Sequence, residues 1–173
     1  GMCMLSAYVN SFFMNYYGAD AVQAAIEITP VCEEVMKLFP LLFYILIFEP
    51  KKEEIPRTAI ALAVGFATFE NICYLLENGT DNLLHLVIRG FSVGAMHITC
   101  AFVIGCGLKL SGKSSFLKAA GLFGLLCVTI TFHAIFNMLM KTDGALRQFG
   151  YAVPITAITL LILLRRHLKK YFM

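Results

Sequence analysis

The segment PVCEEVMK, residues 30–37, places two adjacent glutamates in the middle of a long apolar run. Glu70, His97 and His133 lie in further apolar runs, and one helical turn separates His133 from Asn137. Inserting an ionisable group at the centre of a membrane helix costs about 2.5–3.5 kcal/mol. A chain that keeps several such groups must turn them toward one another, so they predict a functional site inside a membrane helix bundle.

The composition is that of an integral membrane protein. Of the 173 residues, 59% are hydrophobic and only 14% are charged, whereas soluble domains carry about 25% charged residues. At about 20 residues for each crossing, the chain has room for about six spans and for no soluble catalytic domain. The formal net charge of +3 gives no indication of nucleic-acid binding. We therefore expect an all-α fold, a single polytopic transmembrane helix bundle over residues 1–173 with its catalytic core at about 21–140.

Six apolar segments predict the helices of this bundle. Asp20 is a good N-cap for the second helix, which is long and is expected to bend at Pro30. The predicted spans cover residues 2–17, 21–48, 58–77, 83–108, 116–140 and 148–164.

Basic residues are concentrated in three of the segments outside these spans. Residues 165–170 carry four Lys or Arg, and residues 49–57 and 109–118 carry three each, while residues 78–82 carry none and 141–147 carry two. Because Lys and Arg accumulate on cytoplasmic loops, this distribution predicts a multi-pass protein of the lipid bilayer with both termini in the cytoplasm.

The acids and imidazoles are predicted to lie at similar depths. Counting 1.5 Å per residue from the predicted cytoplasmic ends places four of them in one band roughly 10 Å tall: Glu33, Glu70, His97 and His133. Lys37 follows Glu33 by four residues and Glu34 by three, so it can neutralise one of these carboxylates and leave the other to act as a general base. The embedded Arg89 requires an acidic or carbonyl partner.

Two kinds of chemistry suit this set of side chains. A carboxylate can activate water while imidazole and amide groups donate to a developing oxyanion, and together these groups hydrolyse an amide. Alternatively, Glu33, His97 and His133 could ligate zinc and leave a fourth position open. The metal-free site is favoured, with no cofactor, because Lys37 and Arg89 bring positive charge to the acids. Two other possibilities are buried pairs that only fix helix packing, and a proton or ion pathway.

Four ordered motifs carry a resemblance to a known family. They are PVCEEVMK at 30–37, GFATFENICYL at 65–75, RGF at 89–91 followed by His97, and HAIFN at 133–137. With them the chain resembles the PrsW-type intramembrane proteases, a group within the wider clan of CAAX proteases and bacteriocin-processing membrane proteins. Leu38 stands where the CAAX proteases have an arginine, and Glu70 stands where they have a histidine. Both differences agree with the PrsW branch.

The resemblance implies an intramembrane endopeptidase of a prokaryotic plasma membrane. Such an enzyme cleaves a membrane-embedded or juxtamembrane bond of a membrane protein, as PrsW-type enzymes cleave anti-sigma factors. By the resemblance, Glu33 activates water, Glu34 is its partner and Glu70 assists or shares the proton. The remaining catalytic residues, which orient water or stabilise the oxyanion, are His97, His133 and Asn137, and the supporting residues are Lys37, Asn71 and Arg89. The alternative is a non-catalytic membrane scaffold or substrate-binding subunit with the same fold.

Two further patterns are discounted. The segment from Gly107 to Ser114, GLKLSGKS, matches the phosphate-binding P-loop pattern, but a P-loop requires a preceding strand in a soluble α/β core. This segment follows a hydrophobic helix, so we predict no nucleotide partner and expect the basic loop to contact anionic lipid. The six cysteines lie in apolar runs and are expected to pack as small hydrophobic residues.

Overall fold

The structure is a computed structural model that describes residues 1–79, 83–110 and 115–172. Within these residues every regular element is a helix, in agreement with the predicted all-α bundle. The elements are α1 (Met2–Tyr17), α2 (Ala21–Gln23), a π-helical turn (Ala24–Ile28), α3 (Thr29–Phe48), α4 (Ile55–Asn78), α5 (Leu83–Leu110), α6 (Ser115–Met140) and α7 (Ala145–Phe172).

Four stretches of helix among the described residues are long and apolar enough to cross a membrane. They are Ile55–Glu77, Leu83–Leu110, Lys118–Met140 and Ala145–Leu164. Of the two other long helices, α1 has 16 residues, about 24 Å of helix, and α3 carries three charged residues near its start. Large apolar side chains such as Phe43, Leu76, Phe91 and Phe123 are exposed on the outside of the bundle. A surface of this kind is suited to contact with lipid.

The first helix ends and the second begins where the sequence predicts. Gly18 ends α1 in the left-handed conformation, with φ of 64°, which glycine adopts without strain. The Asp20 carboxylate then accepts hydrogen bonds from the backbone N–H groups of Val22 and Gln23, at 2.9 and 2.8 Å. These bonds satisfy two donors that a helix start leaves free, which confirms the predicted N-cap.

The expected bend near Pro30 takes the form of a π-helical turn just before it. In a π-helix each backbone N–H bonds to the carbonyl five residues earlier, as Thr29 does to Ala24. The next carbonyl, that of Ala25, would therefore accept a hydrogen bond from the N–H of residue 30. Pro30 has no N–H group and cannot supply that bond. The side-chain Nδ2 of Asn137 supplies it instead, donating to the Ala25 carbonyl at 2.8 Å. The irregular turn is thereby joined to α6.

The connection between α3 and α4 is shorter than predicted. Helix α4 begins at Ile55 rather than at residue 58, because Pro56 lies in its first turn, where a missing N–H costs nothing. Helix α5 packs tightly against this turn: a Cβ atom on Gly105 would lie 2.7 Å from the Cα atom of Pro56. Near the same end of the bundle, the Lys109 ammonium lies 3.8 Å from the Glu53 carboxylate.

The last helix is longer than predicted at both ends. It begins at Ala145, after Gly144 with φ of 64°, and continues to Phe172. The predicted end of the membrane span at Leu164 agrees with the apolar stretch Ala145–Leu164, but the helix itself continues beyond it. The basic segment that follows contains no glycine or proline to stop a helix, so it continues α7.

Two apolar clusters pack around the part of α5 that carries the site. One contains Ile104 with Leu41, and the other contains Val93 and Cys100 with Phe136. His97 lies between Val93 and Cys100 on the same helix. The polar groups described next are therefore flanked by packed hydrophobic side chains.

Candidate active site

An ion pair on α3 forms the centre of the site. Glu34 and Lys37 lie one turn apart, and their side chains are 4% and 8% exposed. The Lys37 Nζ atom lies 2.6 Å from Glu34 Oε1 and 2.8 Å from Nδ1 of His97 on α5. Sequence spacing allows Lys37 to reach either Glu33 or Glu34, and in the structure it pairs with Glu34.

The two buried imidazoles meet at this ion pair. His97 and His133 are 0% and 2% exposed, and their ring centroids are 5.2 Å apart with the planes perpendicular. Nδ1 of His133 lies 2.8 Å from Glu34 Oε1. On its other side, Nε2 of His97 lies 2.7 Å from Glu70 Oε2. Residues from α3, α4, α5 and α6 are therefore brought together, as the predicted common depth requires.

Glu33 is the exceptional member of the group. Its Oε2 atom is buried and has no hydrogen-bond partner among the described residues. The same atom lies 3.8 Å from Nε2 of His97 and 3.8 Å from Nε2 of His133. Buried polar atoms almost always have partners, so an orphan of this kind points to a functional role or to an additional bound species.

Arg89 pairs with the Glu70 carboxylate oxygen that does not contact His97. Its Nη2 atom lies 3.3 Å from Glu70 Oε1, and its Nη1 atom donates to Asn71 Oδ1 at 2.6 Å. The guanidinium also stacks on the Tyr74 ring, 3.6 Å from the ring centroid. The amide of Asn71 in turn donates to the Gly90 carbonyl at 3.3 Å. Arg89 thus has the acidic partner that its burial requires, and Tyr74 is a contact that sequence reasoning did not identify.

The Nδ2 hydrogen bond of Asn137 is to the backbone and not to the acids or imidazoles. Its Nδ2 donor is occupied by the Ala25 carbonyl, although the residue lines the same polar cavity as Glu70 and Arg89. The predicted oxyanion role of Asn137 stays a prediction. In the structure its side chain completes the hydrogen bonding of the π-helical turn.

The polar cavity has a volume of about 470 Å³. Its walls include Glu70, Arg89 and Asn137 of the site, and Lys141 and Arg147 near the connection between α6 and α7. Ligand cavities commonly have volumes of about 300–1,000 Å³. The cavity is therefore of a size typical of ligand sites, and Glu70 lies in its wall.

Three of the site residues offer ligand atoms to a metal ion. One ligand atom from each of Glu33, His97 and His133 lies within 4.8 Å of the others. Carboxylate oxygen and imidazole nitrogen are both zinc ligands, and three protein ligands with one open position are typical of catalytic zinc sites. The donor types and their spacing therefore fit a zinc ion.

The Cys100 thiol contacts the Glu34 side chain, and the described part of the P-loop-like segment lies further along α5. None of the six cysteines forms a disulfide, and the thiol of Cys100 is buried and contacts the Thr129 carbonyl at 3.7 Å. Residues 107–110 belong to α5, whereas residues 111–114 lie outside the described part of the chain. The predicted absence of a nucleotide partner stays a prediction.

Comparison with protein families agrees with the geometry. The family model described as PrsW family intramembrane metalloprotease matches residues 2–164. Comparison with the curated proteins and with the solved structures finds no match. The match covers nearly the whole chain, including every helix that contributes to the site, and it confirms the resemblance carried by the four motifs. The chain therefore belongs to the PrsW family of intramembrane metalloproteases, and it is an intramembrane protease of the membrane helix-bundle type.

Proposed function

We propose that the protein is an intramembrane endopeptidase in which the Glu33 carboxylate activates the attacking water, without a metal ion. The observation that carries this proposal is the buried Oε2 atom of Glu33, which has no hydrogen-bond partner among the described residues and lies 3.8 Å from Nε2 of both His97 and His133. A separation of 3.8 Å is too long for a direct hydrogen bond, but one water can bond to two atoms at that separation, at about 2.8 Å from each.

The reaction follows from this placement of water. Glu33 takes a proton from the water as its oxygen attacks the carbonyl carbon of the scissile peptide bond. The carbonyl oxygen becomes an oxyanion, which a hydrogen-bond donor of the site stabilises. When the intermediate collapses, the C–N bond breaks and Glu33 returns its proton to the leaving amine. The products are a new carboxyl end and a new amino end, and Glu33 is again a carboxylate.

The other buried polar groups hold the reacting groups in place. Glu34 and Lys37 lie behind the two imidazoles, and Glu70 contacts the Nε2 side of His97. Asn71 and Arg89 in turn orient Glu70. Catalytic geometry needs such a supporting layer, because misplacement by 1 Å can cost about 10²-fold in rate.

A zinc-dependent form of the same enzyme is the second candidate. The family description includes the word metalloprotease, and Glu33, His97 and His133 are the residues that would hold the ion. When bound, zinc would polarise the substrate carbonyl and activate water. Two cations count against it: Lys37 lies 2.8 Å from a His97 nitrogen, and Arg89 lies 3.3 Å from Glu70, whose other oxygen contacts His97.

A non-catalytic scaffold explains the site less well. A scaffold needs polar groups that are paired, since a buried group without a partner costs about 1–3 kcal/mol. Glu33 Oε2 has no protein partner within the part of the chain that the structure describes. An enzyme keeps it in this state because the carboxylate must be ready to accept a proton.

The substrate and the location are also part of the proposal. We infer that the substrate is a membrane protein, anti-sigma-factor-like, cut within or beside its membrane segment in the plasma membrane of a prokaryote. The basic residues at 49–57, 109–118 and 165–170 support an orientation with both termini in the cytoplasm.

The test is proteolysis of a tagged single-span reporter by the purified protein, with and without a chelator, together with elemental analysis of the active preparation. We expect cleavage that the chelator does not reduce, and no stoichiometric zinc. Activity lost to the chelator and restored by zinc would replace the metal-free mechanism by the zinc form. No cleavage of any single-span reporter, by protein that is folded in detergent, would favour the scaffold.

A further inference from the structure

The Glu34–Lys37 ion pair contacts both imidazoles through the same kind of ring atom. Lys37 Nζ lies 2.8 Å from Nδ1 of His97, and Glu34 Oε1 lies 2.8 Å from Nδ1 of His133. Nδ1 of one imidazole therefore contacts a cation and Nδ1 of the other contacts an anion. Nε2 of each ring lies 3.8 Å from Glu33 Oε2.

The contact with Lys37 fixes the proton position on His97. An ammonium group has three donors and no acceptor, and Lys37 is paired with the Glu34 carboxylate at 2.6 Å. Nδ1 of His97 must accept the hydrogen bond and so carries no proton. The single proton of the ring is then on Nε2, from which it is donated to Glu70 Oε2 at 2.7 Å. Lys37 and Glu70 therefore favour the same tautomer of His97, with the proton on Nε2.

The contact with Glu34 fixes the opposite arrangement on His133. A carboxylate only accepts hydrogen bonds, so Nδ1 of His133 carries the proton. In the neutral ring, Nε2 then presents a lone pair. This lone pair points toward the same space as the orphan Oε2 atom of Glu33, 3.8 Å away.

We propose that the Glu34–Lys37 ion pair is a positioning device that holds the two imidazoles in opposite tautomers, His97 as a donor at Nε2 and His133 as an acceptor at Nε2. This inference rests on the proposed function and assigns the two histidines different parts in it. His97 donates its Nε2–H to Glu70 and so holds that carboxylate beside the reacting groups, and His133 helps Glu33 to orient the water by accepting its second proton in a hydrogen bond.

The same assignment bears on zinc. Ligation through both Nε2 atoms needs a lone pair on each, and therefore a proton on Nδ1 of each ring. On His97 that proton would point at the Lys37 ammonium, 2.8 Å away. The spacing of the three ligand atoms suits zinc, but the hydrogen bonds supply only one of the two imidazole lone pairs.

The test is nitrogen NMR of the purified protein with ¹⁵N-labelled histidine, which distinguishes the protonated nitrogen of each ring. The two signal sets are assigned by their loss in His97→Asn and His133→Asn. We expect the proton on Nε2 of His97 and on Nδ1 of His133. The same tautomer on both rings would overturn the proposal, and this outcome is distinct from failure of the proposed function, which reporter cleavage measures separately.

Variants at residue 37 test the role of the ammonium itself. Lys37→Met removes the donor, and we expect the Nδ1 resonance of His97 to move while His133 keeps its proton on Nδ1. Lys37→Arg also only donates, so it should retain the His97 tautomer and restore cleavage relative to Lys37→Met. Lys109→Met, at the exposed ion pair with Glu53, is the matched control and should change neither ring. An unmoved His97 resonance in Lys37→Met would refute the role of Lys37. If that variant does not fold, the wild-type spectrum still decides the tautomers.

Discussion

Removing one member of the buried ion pair on α3 should destabilise the bundle strongly. Lys37 and Glu34 are 8% and 4% exposed and 2.6 Å apart. Taking away one partner leaves the other charge buried, which costs about 3–5 kcal/mol. We therefore expect Lys37→Met and Glu34→Gln each to lower the free energy of unfolding by about 3–5 kcal/mol. Removing both charges leaves no buried ion without its partner, so the double variant should lose less than the sum of the two single losses, with a coupling of about 3 kcal/mol.

The assay is equilibrium unfolding in detergent, followed by the loss of helical circular dichroism. Lys109→Met is the control, because it breaks an ion pair to Glu53 whose members are 34% and 66% exposed. Exposed pairs contribute about 0–1 kcal/mol. The reasoning is refuted if the single variants at Lys37 and Glu34 lose no more stability than this control, or if their losses simply add in the double variant.

Three further predictions concern the rest of the bundle. Asn137→Ala should lower the free energy of unfolding by about 1–3 kcal/mol, because the Ala25 carbonyl loses its donor; an unchanged value would contradict that role. Gly105→Ala should cost about 1–3 kcal/mol through its clash with Pro56, whereas Gly94→Ala, with no atom within 4 Å of the added Cβ, should cost less; equal losses would contradict the tight α4–α5 contact. In intact cells, a membrane-impermeant thiol reagent added outside should not label cysteines introduced at either end of the chain. Labelling of either end from outside would contradict the orientation with both termini in the cytoplasm.

The helices were largely predictable, because each is a long apolar run bounded by strong local signals. Asp20 and Gly18 mark a break that the structure contains, since their preferences depend only on the local backbone. The ends were less certain where such signals are missing. The start of α4 at Ile55 depends on Pro56 being accepted in a first turn, and α7 continues past residue 164 because no residue there stops it.

The composition of the site was predictable, but its pairing was not. Helical rise alone placed Glu33, Glu70, His97 and His133 at one depth, and the structure brings these residues together. Spacing could not decide whether Lys37 pairs with Glu33 or Glu34, because both are within one turn. The choice depends on how α3 is rotated against α5 and α6, which is a property of the packed bundle.

The contacts of Asn137 and Tyr74 show a second limit. Asn137 bonds to Ala25 because the turn before Pro30 is π-helical, and a hydrophobic pattern does not predict that local change of hydrogen bonding. Tyr74 stacks on Arg89 across two helices. Its spacing of four residues from Glu70 was the available signal, but a tyrosine on an apolar helix is more often simply part of the packing.

The cleavage rate of Glu33→Gln measures the central claim most directly. The substitution keeps the volume of the side chain and one acceptor oxygen, and it removes the negative charge and the ability to take a proton. General-base catalysis contributes about 10²–10⁴-fold, so we expect reporter cleavage to fall by at least about 10²-fold while the unfolding transition in detergent is retained. Glu27→Gln, at an exposed carboxylate one turn before Pro30, is the matched control and should cleave at the wild-type rate. Cleavage by folded Glu33→Gln at a rate within a few-fold of this control would contradict the assignment of Glu33 as the base.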